Sequence, residues 1–293
     1  MNVPAPAASR IAAIALNVVD IGASRAFYEQ ALGFMPLAPG AECPDPASLS
    51  SWPAARHVVL ALGPSRLQLT QGTEDSTAYP ADSRANDLWF QHFAIRTPDL
   101  AATVRRLRRY PIADITQGGP QTLPPASGGV TAYKFRDPDG HPLELLAAPR
   151  TGIDHTALSV ADAGGTVTFY RDLLGLRLGH EQLNKGPAQE RLDGLAGSEV
   201  RVVTLWPAGN GPHLELLEYQ HPRPRAAVIK ATDIAATRTV WDVSDLDPVL
   251  ETLGAAGVPV RALVMARPMR AVLLQDPYGH WLAIREGPQK TQC

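Results

Sequence analysis

Two histidines and two glutamates occupy matched positions in the two central copies of a fourfold sequence repeat. His92 and His155 lie in FQHFAIRT and IDHTALSV, and Glu144 and Glu215 lie in PLELL and HLELL. Imidazole nitrogens and carboxylate oxygens are suitable ligands for divalent Zn, Ni, Fe, Co or Mn. Leucine flanks each glutamate, so strand alternation would direct the leucines to one face and the carboxylate to the other. A carboxylate buried in this way needs a metal or an arginine as its partner.

The repeat is visible as two gapless internal similarities. IAAIALNVVDIGASRAFYEQALGF (11–34) matches IDHTALSVADAGGTVTFYRDLLGL (153–176), and DPDGHPLEL (137–145) matches DPYGHWLAI (276–284). A unit of this size with a single helix cannot bury its own hydrophobic face, so its copies must pack together. The sequence therefore predicts four modules, two in residues 8–149 and two in residues 150–288.

The hydrophobic pattern of each module predicts the order β-α-β-β-β, and hence an α+β fold. The predicted helices cover residues 22–32, 98–109, 163–174 and 245–256. The predicted strands include 11–18, 57–62, 65–71, 91–97, 131–136, 141–147, 187–192, 199–206, 213–219 and 236–243. Residues 147–152 and 220–233 are predicted linkers, and the Pro- and Gly-rich segments 36–53 and 115–129 are long enough to form lids.

Composition excludes several classes of partner. The 293-residue chain has a formal net charge of −2, so electrostatics gives no argument for binding nucleic acid or an anionic membrane. No stretch approaches the roughly 18–20 apolar residues that a membrane helix requires. Cys43 and Cys293 have neither the spacing of metal ligands nor that of a disulfide framework. We therefore expect a cytoplasmic monomer or homodimer that acts on a small molecule.

This organisation resembles the vicinal oxygen chelate superfamily, which includes glyoxalase I, methylmalonyl-CoA epimerase, extradiol dioxygenases and bleomycin or fosfomycin resistance proteins. The resemblance covers essentially the whole chain. It is carried by FYxxxLG in modules one and three and by DPxGH in modules two and four. It implies that the modules pair into two curved, eight-stranded half-barrels. It does not identify the reaction, because this scaffold supports isomerases, lyases, dioxygenases and binding proteins.

The resemblance also implies where a metal would bind. Each pair of modules forms a concave sheet face, here termed a cup, to which a module can supply a His from its first strand and a Glu from its last. Modules two and three have both residues. Module one has Ala13 and Gln68 at these positions, and module four has Arg238 and Ala283.

Two pairings of the modules are possible. If module one paired with two and module three with four, each cup would hold one His and one Glu. The second cup would also contain Arg238, whose charge repels a metal ion. If module two paired with three, as in superfamily members with four fused modules, one cup would hold His92, Glu144, His155 and Glu215. We favour this exchanged pairing because it gathers the four ligands around one divalent metal ion per chain.

The leading functional prediction is a metal-dependent lyase or isomerase of the glyoxalase and epimerase type. The metal would chelate neighbouring substrate oxygens and stabilise an enediolate, while Glu144 or Glu215 moved the proton. One alternative is an Fe(II) or Mn(II) extradiol-type dioxygenase. Its two-domain relatives, however, take their ligands from modules three and four, where this chain has Arg238 and Ala283. The other alternative is a protein that binds an antibiotic or metabolite.

Strand geometry predicts three further residues of the site. If residue 136 pairs with residue 141, Tyr133 stands opposite Glu144 on the same face and can donate a hydrogen bond there. Gln189 and Arg191, in the predicted strand 187–192, would face the cup and hold a substrate carboxylate or carbonyl. A salt bridge from the buried glutamates to Arg136 or Arg191 is the alternative to metal binding.

Three other candidates are predicted to lie outside the site. His141 and His280 directly follow the two DPxG turns, and Glu218 is predicted to point to the face of its strand opposite Glu215. The cup of modules one and four is predicted to be structural, with Arg238 in a salt bridge.

Overall fold

The computed structural model describes residues 8–37, 56–265 and 270–287, so Cys43, Cys293 and most of the predicted loop 36–53 lie outside the described residues. The elements of the first half are β1 (Ala8–Val18), α1 (Ile21–Leu32), β2 (Met35–Pro36), β3 (His57–Leu62), β4 (Ser65–Gln71), β5 (Gln91–Thr97), α2 (Leu100–Leu107), β6 (Ala113–Asp114), β7 (Gln121–Thr122), a 3-10 turn (Pro125–Ser127), β8 (Thr131–Arg136) and β9 (Pro142–Ala147). Those of the second half are β10 (Gly152–Val160), α3 (Ala163–Leu174), β11 (Arg177–Lys185), α4 (Pro187–Asp193), β12 (Glu199–Trp206), β13 (His213–His221), β14 (Arg238–Val243), α5 (Asp247–Ala255), β15 (Val260–Val264), β16 (Ala271–Gln275) and β17 (Trp281–Glu286).

The strands form two large curved sheets, which confirms the predicted α+β fold. One sheet has the order β15-β16-β17-β14-β1-β4-β3-β2 and so combines modules four and one. The other has the order β11-β12-β13-β10-β5-β9-β8-β6 and combines modules three and two. It contains nine strands instead of eight, because the two-residue strand β7 also pairs with β8. Within each sheet, an antiparallel pair at the centre joins the two modules: β1–β14 joins modules one and four, and β5–β10 joins modules two and three.

The repeated Asp and Gly residues define the ends of the module-one and module-three helices. Asp20 precedes α1 and accepts hydrogen bonds from the backbone N–H groups of the first turn, as Asp162 does for α3. Gly33 and Gly175 end these helices in the left-handed region, at φ 79° and 64°. Glycine adopts this conformation without steric cost, so both helix ends follow from local sequence.

The helices pair differently from the strands. Helix α1 packs on α2 and α3 packs on α5, so helical contacts join module one to two and module three to four. Tyr28 on α1 donates to Asp137 at 2.7 Å, and Tyr170 on α3 donates to Asp276 at 3.3 Å. The Tyr of FYxxxLG and the Asp of DPxGH are therefore hydrogen-bonded partners across module boundaries.

The two histidines that follow these turns are also buried within the framework. His141 Nδ1 lies 2.9 Å from Asp137, and its Nε2 lies 3.0 Å from the carbonyl of Ile234. His280 Nε2 lies 2.9 Å from the carbonyl of Ser159. Each imidazole thus connects its turn to a different module.

The prediction of a strand at 187–192 is wrong, because these residues belong to α4. The local signals for a helix are present: Pro187 follows Gly186 at the first turn, and Gly194 ends the helix in the left-handed region at φ 61°. The strand of this module is β11, an edge strand whose polar, largely exposed sequence lacks the apolar alternation used for prediction. Within the described ranges, no helix has the length and apolar character needed to cross a membrane.

Candidate metal centre

Four adjacent strands of the module-two and module-three sheet position the candidate ligands. The central strands β5 and β10 run antiparallel and carry His92 and His155, each of which stands opposite an alanine of the other strand. Parallel pairing with β9 and β13 then places Glu144 and Glu215 beside those same alanines. Small residues at the centre leave room above the sheet for the four longer side chains. The leucines that flank both glutamates are buried in the core on the opposite face.

The structure brings the four predicted ligands together. His92 Nε2 and His155 Nε2 lie 3.3 and 3.4 Å from the same Glu144 oxygen, and His155 Nε2 lies 3.7 Å from a Glu215 oxygen. The ligand atoms of His92, Glu144 and His155 all fall within 4.8 Å of one another. Donor atoms at this spacing are close enough to bind a single metal ion.

The two imidazoles of the site are buried, and three of their ring nitrogens make no hydrogen bond to the described residues. His92 is 2% exposed and His155 is 4% exposed. Both nitrogens of His92 and the Nε2 of His155 have no hydrogen-bond partner among the described residues. Because an unsatisfied buried polar atom costs on the order of 1–3 kcal/mol, such atoms call for an explanation, and an unplaced ion is one.

Burial and charge shift the ionisation of these groups in opposite directions. Burial lowers the pKa of His92. For His155 burial acts the same way, but Glu215, Asp154 and Glu144 outweigh it and raise the pKa well above the ordinary value. Burial alone would raise the pKa of both glutamates. Lys134, His155 and His92 outweigh it at Glu144 and hold the pKa of that carboxyl well below its ordinary value. His155 and His213 lower the pKa of Glu215. The carboxylates are therefore ionised and available to a cation.

Two side chains that the sequence analysis did not identify orient these groups. His155 Nδ1 lies 3.0 Å from Asp154, which directs Nε2 into the cup. His213 Nε2 lies 3.2 Å from Glu215, and its ring stacks on Trp206 with centroids 4.3 Å apart. The sequence HLE already indicates that His213 and Glu215 share a strand face, because their spacing is two residues.

The predicted register of the β8–β9 hairpin is wrong by one residue. Arg136 pairs with Pro142 because the turn spans five residues instead of four and is closed by a backbone hydrogen bond at its ends. Lys134, not Tyr133, therefore stands opposite Glu144. Tyr133 lies in the hydrophobic core and donates to an aspartate of β6, so its predicted role at the site is not supported.

Lys134 forms a buried ion pair at the edge of the site. Its Nζ lies 2.7 Å from Asp193 on α4, and neither side chain is more than 5% exposed. Gln189 donates its amide hydrogen to the second oxygen of Asp193 at 2.7 Å. Arg191 is exposed and donates to Gln121 at 2.7 Å instead of facing the cup. Of the two residues predicted in this segment, Gln189 alone reaches the cavity.

A cavity of about 240 Å³ lies over the site and includes His92, Glu144, His155 and Glu215 in its lining. Leu192, Val200, Val202 and Leu217 supply apolar walls.

The predicted lid 115–129 contributes to the rim, where Leu123, Ser127 and Gly128 line the cavity. This loop is docked on α4, since Thr116 donates to the Leu192 carbonyl at 3.0 Å. Modules two and three therefore enclose the cavity jointly.

The cup of modules one and four has a different chemistry. Ala13 and Ala283 lie in a small apolar cluster there. Gln68 donates to Thr70 at 3.3 Å, and Arg238 donates to Asn17 at 2.8 Å. The positions equivalent to the four candidate ligands thus hold two alanines, an amide and a guanidinium.

Comparison with known proteins connects this architecture to one group. The family model described as the Glyoxalase/Bleomycin resistance protein/Dioxygenase superfamily matches residues 10–145 and 152–284. Glyoxalase I from Zea mays is similar in structure, with a TM-score of 0.64 and 17% identity, covering 94% of this chain and 92% of the maize chain. A candidate dioxygenase from Bacillus subtilis has a TM-score of 0.60 and 13% identity, covering 97% of this chain and 87% of its own. No curated protein gives a significant match.

Proposed function

Because this chain belongs to the Glyoxalase/Bleomycin resistance protein/Dioxygenase superfamily, we propose that it is a metal-dependent enzyme. It would act as a lyase or isomerase on a small substrate with two neighbouring oxygens. His92, Glu144, His155 and Glu215 would hold one divalent metal ion. The observation that carries this proposal is that buried imidazole nitrogens of His92 and His155, which make no hydrogen bond within the described residues, both lie within 3.4 Å of one Glu144 oxygen.

The donor set fits a divalent ion. Two imidazoles and two carboxylates match the ligand preferences of Zn, Ni, Fe, Co and Mn, and they leave positions open for substrate oxygens. Asp154 supports this assignment because a carboxylate on Nδ1 is the usual outer partner of a metal-binding histidine. The guanidinium of Arg238 in the other cup disfavours a cation there, so one ion per chain is proposed.

The four side chains would have unequal roles. An ion bound there would polarise neighbouring substrate oxygens and stabilise the negative charge that develops on them. Glu144 is 7% exposed, and Lys134 lies opposite it, so we assign it to holding the ion. Glu215 is 21% exposed and reaches the cavity, so its carboxylate is the better placed to take a proton from substrate carbon and return it. His213 would keep that carboxylate oriented.

One observation favours a second candidate, a ring-cleaving dioxygenase. The ligand atoms of His92, Glu144 and His155 lie within 4.8 Å of one another and form a two-His-one-carboxylate set of the kind that non-haem Fe(II) oxygenases use. In that case Glu215 would remain free as an acid or base. A protein that binds a metabolite through the same ion is the third possibility, and it would show no turnover.

Metal analysis of purified protein tests the site first. We expect one equivalent of divalent metal in the wild type and a loss of affinity above about 100-fold in His92→Ala and Glu144→Ala, because loss of an outer partner of a ligand alone costs about 10–100-fold. For measurements of kcat, the variant Glu215→Gln has Glu218→Gln as its matched control, because Glu218 lies on the same strand but accepts a hydrogen bond from Arg201 at 2.9 Å. Unchanged metal content in both His92→Ala and Glu144→Ala would refute the assignment.

Turnover assays on the metal-loaded protein then separate the functions. Consumption of an aldehyde–thiol adduct without oxygen uptake would support the lyase or isomerase. Oxygen uptake with catechols would support the dioxygenase. We expect Glu215→Gln to lower kcat for the adduct by about 10²–10⁴-fold, the range for loss of a general base, and Glu218→Gln to leave it near the wild-type value.

A further inference from the structure

Resting on the proposed function, we propose that the cavity selects compact substrates that carry an uncharged hydrogen-bond donor, such as a hydroxyl or amide N–H. Gln189 would be the residue that accepts this hydrogen bond. The proposed function identifies where neighbouring oxygens bind, whereas this inference concerns the remainder of the substrate.

The orientation of the Gln189 amide is determined by its partner. Its nitrogen lies 2.7 Å from a carboxylate oxygen of Asp193, whose other oxygen pairs with Lys134, and a carboxylate in an ion pair can only accept. The amide N–H₂ group must therefore face Asp193, which directs the carbonyl oxygen away from it. That oxygen has no hydrogen-bond partner in the described part of the chain, although Gln189 is only 3% exposed and lines the cavity. A buried acceptor of this kind requires a donor from water or a ligand.

Charge around Gln189 disfavours an anionic ligand group. The ammonium of the buried Lys134 is paired at 2.7 Å with the other oxygen of Asp193. The carboxylates of Glu144 and Glu215 line the same cavity. A substrate carboxylate would thus meet an amide oxygen and a neutralised lysine, whereas a hydroxyl would satisfy the free acceptor. This reverses the prediction that Gln189 holds a substrate carboxylate or carbonyl.

The size and walls of the cavity limit the rest of the substrate. Its volume of about 240 Å³ is below the roughly 300–1,000 Å³ typical of sites for drug-sized ligands. Leu192, Val200 and Leu217 present apolar surface. A small body with one neutral polar group is therefore complementary to this space.

A series of catechols tests the inference, because catechol offers two neighbouring oxygens whichever reaction the enzyme performs. Metal-loaded protein is titrated without oxygen in a calorimeter with catechol and with its 3- and 4-methyl, 3- and 4-hydroxymethyl and 3- and 4-carboxy derivatives. For at least one ring position we expect the hydroxymethyl compound to bind about three- to tenfold tighter than the methyl compound, as for one neutral hydrogen bond. The carboxy compound should bind more weakly than the methyl compound.

Two variants of α4 locate the effect. Gln189→Met should remove the hydroxymethyl preference and change the affinity for methylcatechol by less than about twofold. Arg191→Met, an exposed position on the same helix, should keep the preference. If Gln189→Met does not fold, the comparison of ligands on the wild type still decides.

The outcomes separate this inference from the proposed function. Equal binding of hydroxymethyl and methyl compounds to the wild type, or tightest binding of a carboxy compound, overturns the inference while leaving the metal site intact. A preference that survives in Gln189→Met also overturns it. Failure of every catechol to bind protein that is shown to hold its ion overturns this inference alone, whereas a wild type that binds no divalent ion overturns the proposed site and this inference with it.

Discussion

Replacing His92 by leucine should separate metal binding from folding. His92 is buried at 2% exposure, and its two ring nitrogens have no hydrogen-bond partner among the residues that the structure describes. Leucine is apolar and of similar volume. We therefore predict that His92→Leu keeps or raises the stability of the metal-free protein and loses the stabilisation that metal gives.

The magnitude follows from the unsatisfied atoms. A buried polar group left without a partner costs about 1–3 kcal/mol, and one such group is counted for His92, because its Nε2 also lies 3.3 Å from a Glu144 oxygen. Burial lowers the pKa of His92, so at neutral pH the substitution removes no charged partner of Glu144. The metal-free variant should thus be up to about 3 kcal/mol more stable, with any loss of packing reducing this gain. The wild type should gain about 2.7 kcal/mol at a metal concentration of 100 Kd, and the variant should gain none.

Urea unfolding with and without a chelator measures both quantities. His141→Leu is the matched control, since His141 is buried at 1% exposure but has both ring nitrogens hydrogen-bonded. It leaves a buried carboxylate without its cation, so it should lose about 3–5 kcal/mol with or without metal. If His92→Leu in chelator lost as much as His141→Leu, or if metal still stabilised it, the reasoning about unsatisfied nitrogens would be wrong.

Three further predictions concern the framework. Lys134→Met should destabilise the protein by about 3–5 kcal/mol in urea unfolding, because it leaves Asp193 buried without its cation, and the double variant with Asp193→Leu should recover most of the loss. Burial lowers the pKa of His141 but Asp137 outweighs this and raises it, so its contribution is complete below about pH 6.5 and is lost as pH rises through the raised value. The difference in unfolding free energy between wild type and His141→Gln should therefore be larger at about pH 6 than at about pH 9. Gly194→Ala should lose more than about 1 kcal/mol of unfolding free energy, because φ is 61° and an added Cβ would lie 2.4 Å from a carbonyl oxygen of the docked loop.

Much of the fold was accessible from local sequence. The strands β3, β4, β8 and β12 and the helix α3 have the bounds predicted for them, because apolar periodicity and terminal Asp or Gly residues are local signals. Leucine alternation likewise predicted the face on which Glu144 and Glu215 lie, and the repeat indicated His92 and His155.

Two predictions from the sequence are wrong, one at α4 and one in the register of the β8–β9 hairpin. Edge strand β11 is polar and largely exposed, so apolar alternation does not predict it and instead predicts a strand at 187–192, within the helix α4. The turn before β9 has five residues, so the observed register differs by one residue from the predicted one. Lys134 therefore lies on the cup face, where Tyr133 was predicted. A shift of one residue exchanges the two faces of a strand. Residues on both faces of β8 are buried, so hydrophobicity does not indicate which register is correct.

The amino-acid sequence by itself determined the repeat, the type of each module's elements and the residues that a metal can use, since these depend on short-range periodicity and side-chain chemistry. The tertiary structure decided which modules share a sheet and what surrounds the ligands. Strand pairing joins module two to three, while helix packing joins one to two and three to four, and the balance of these long-range contacts cannot be read from one segment. The same packing placed Lys134 beside Asp193 of α4, because residues so far apart in sequence meet only when modules two and three share a sheet.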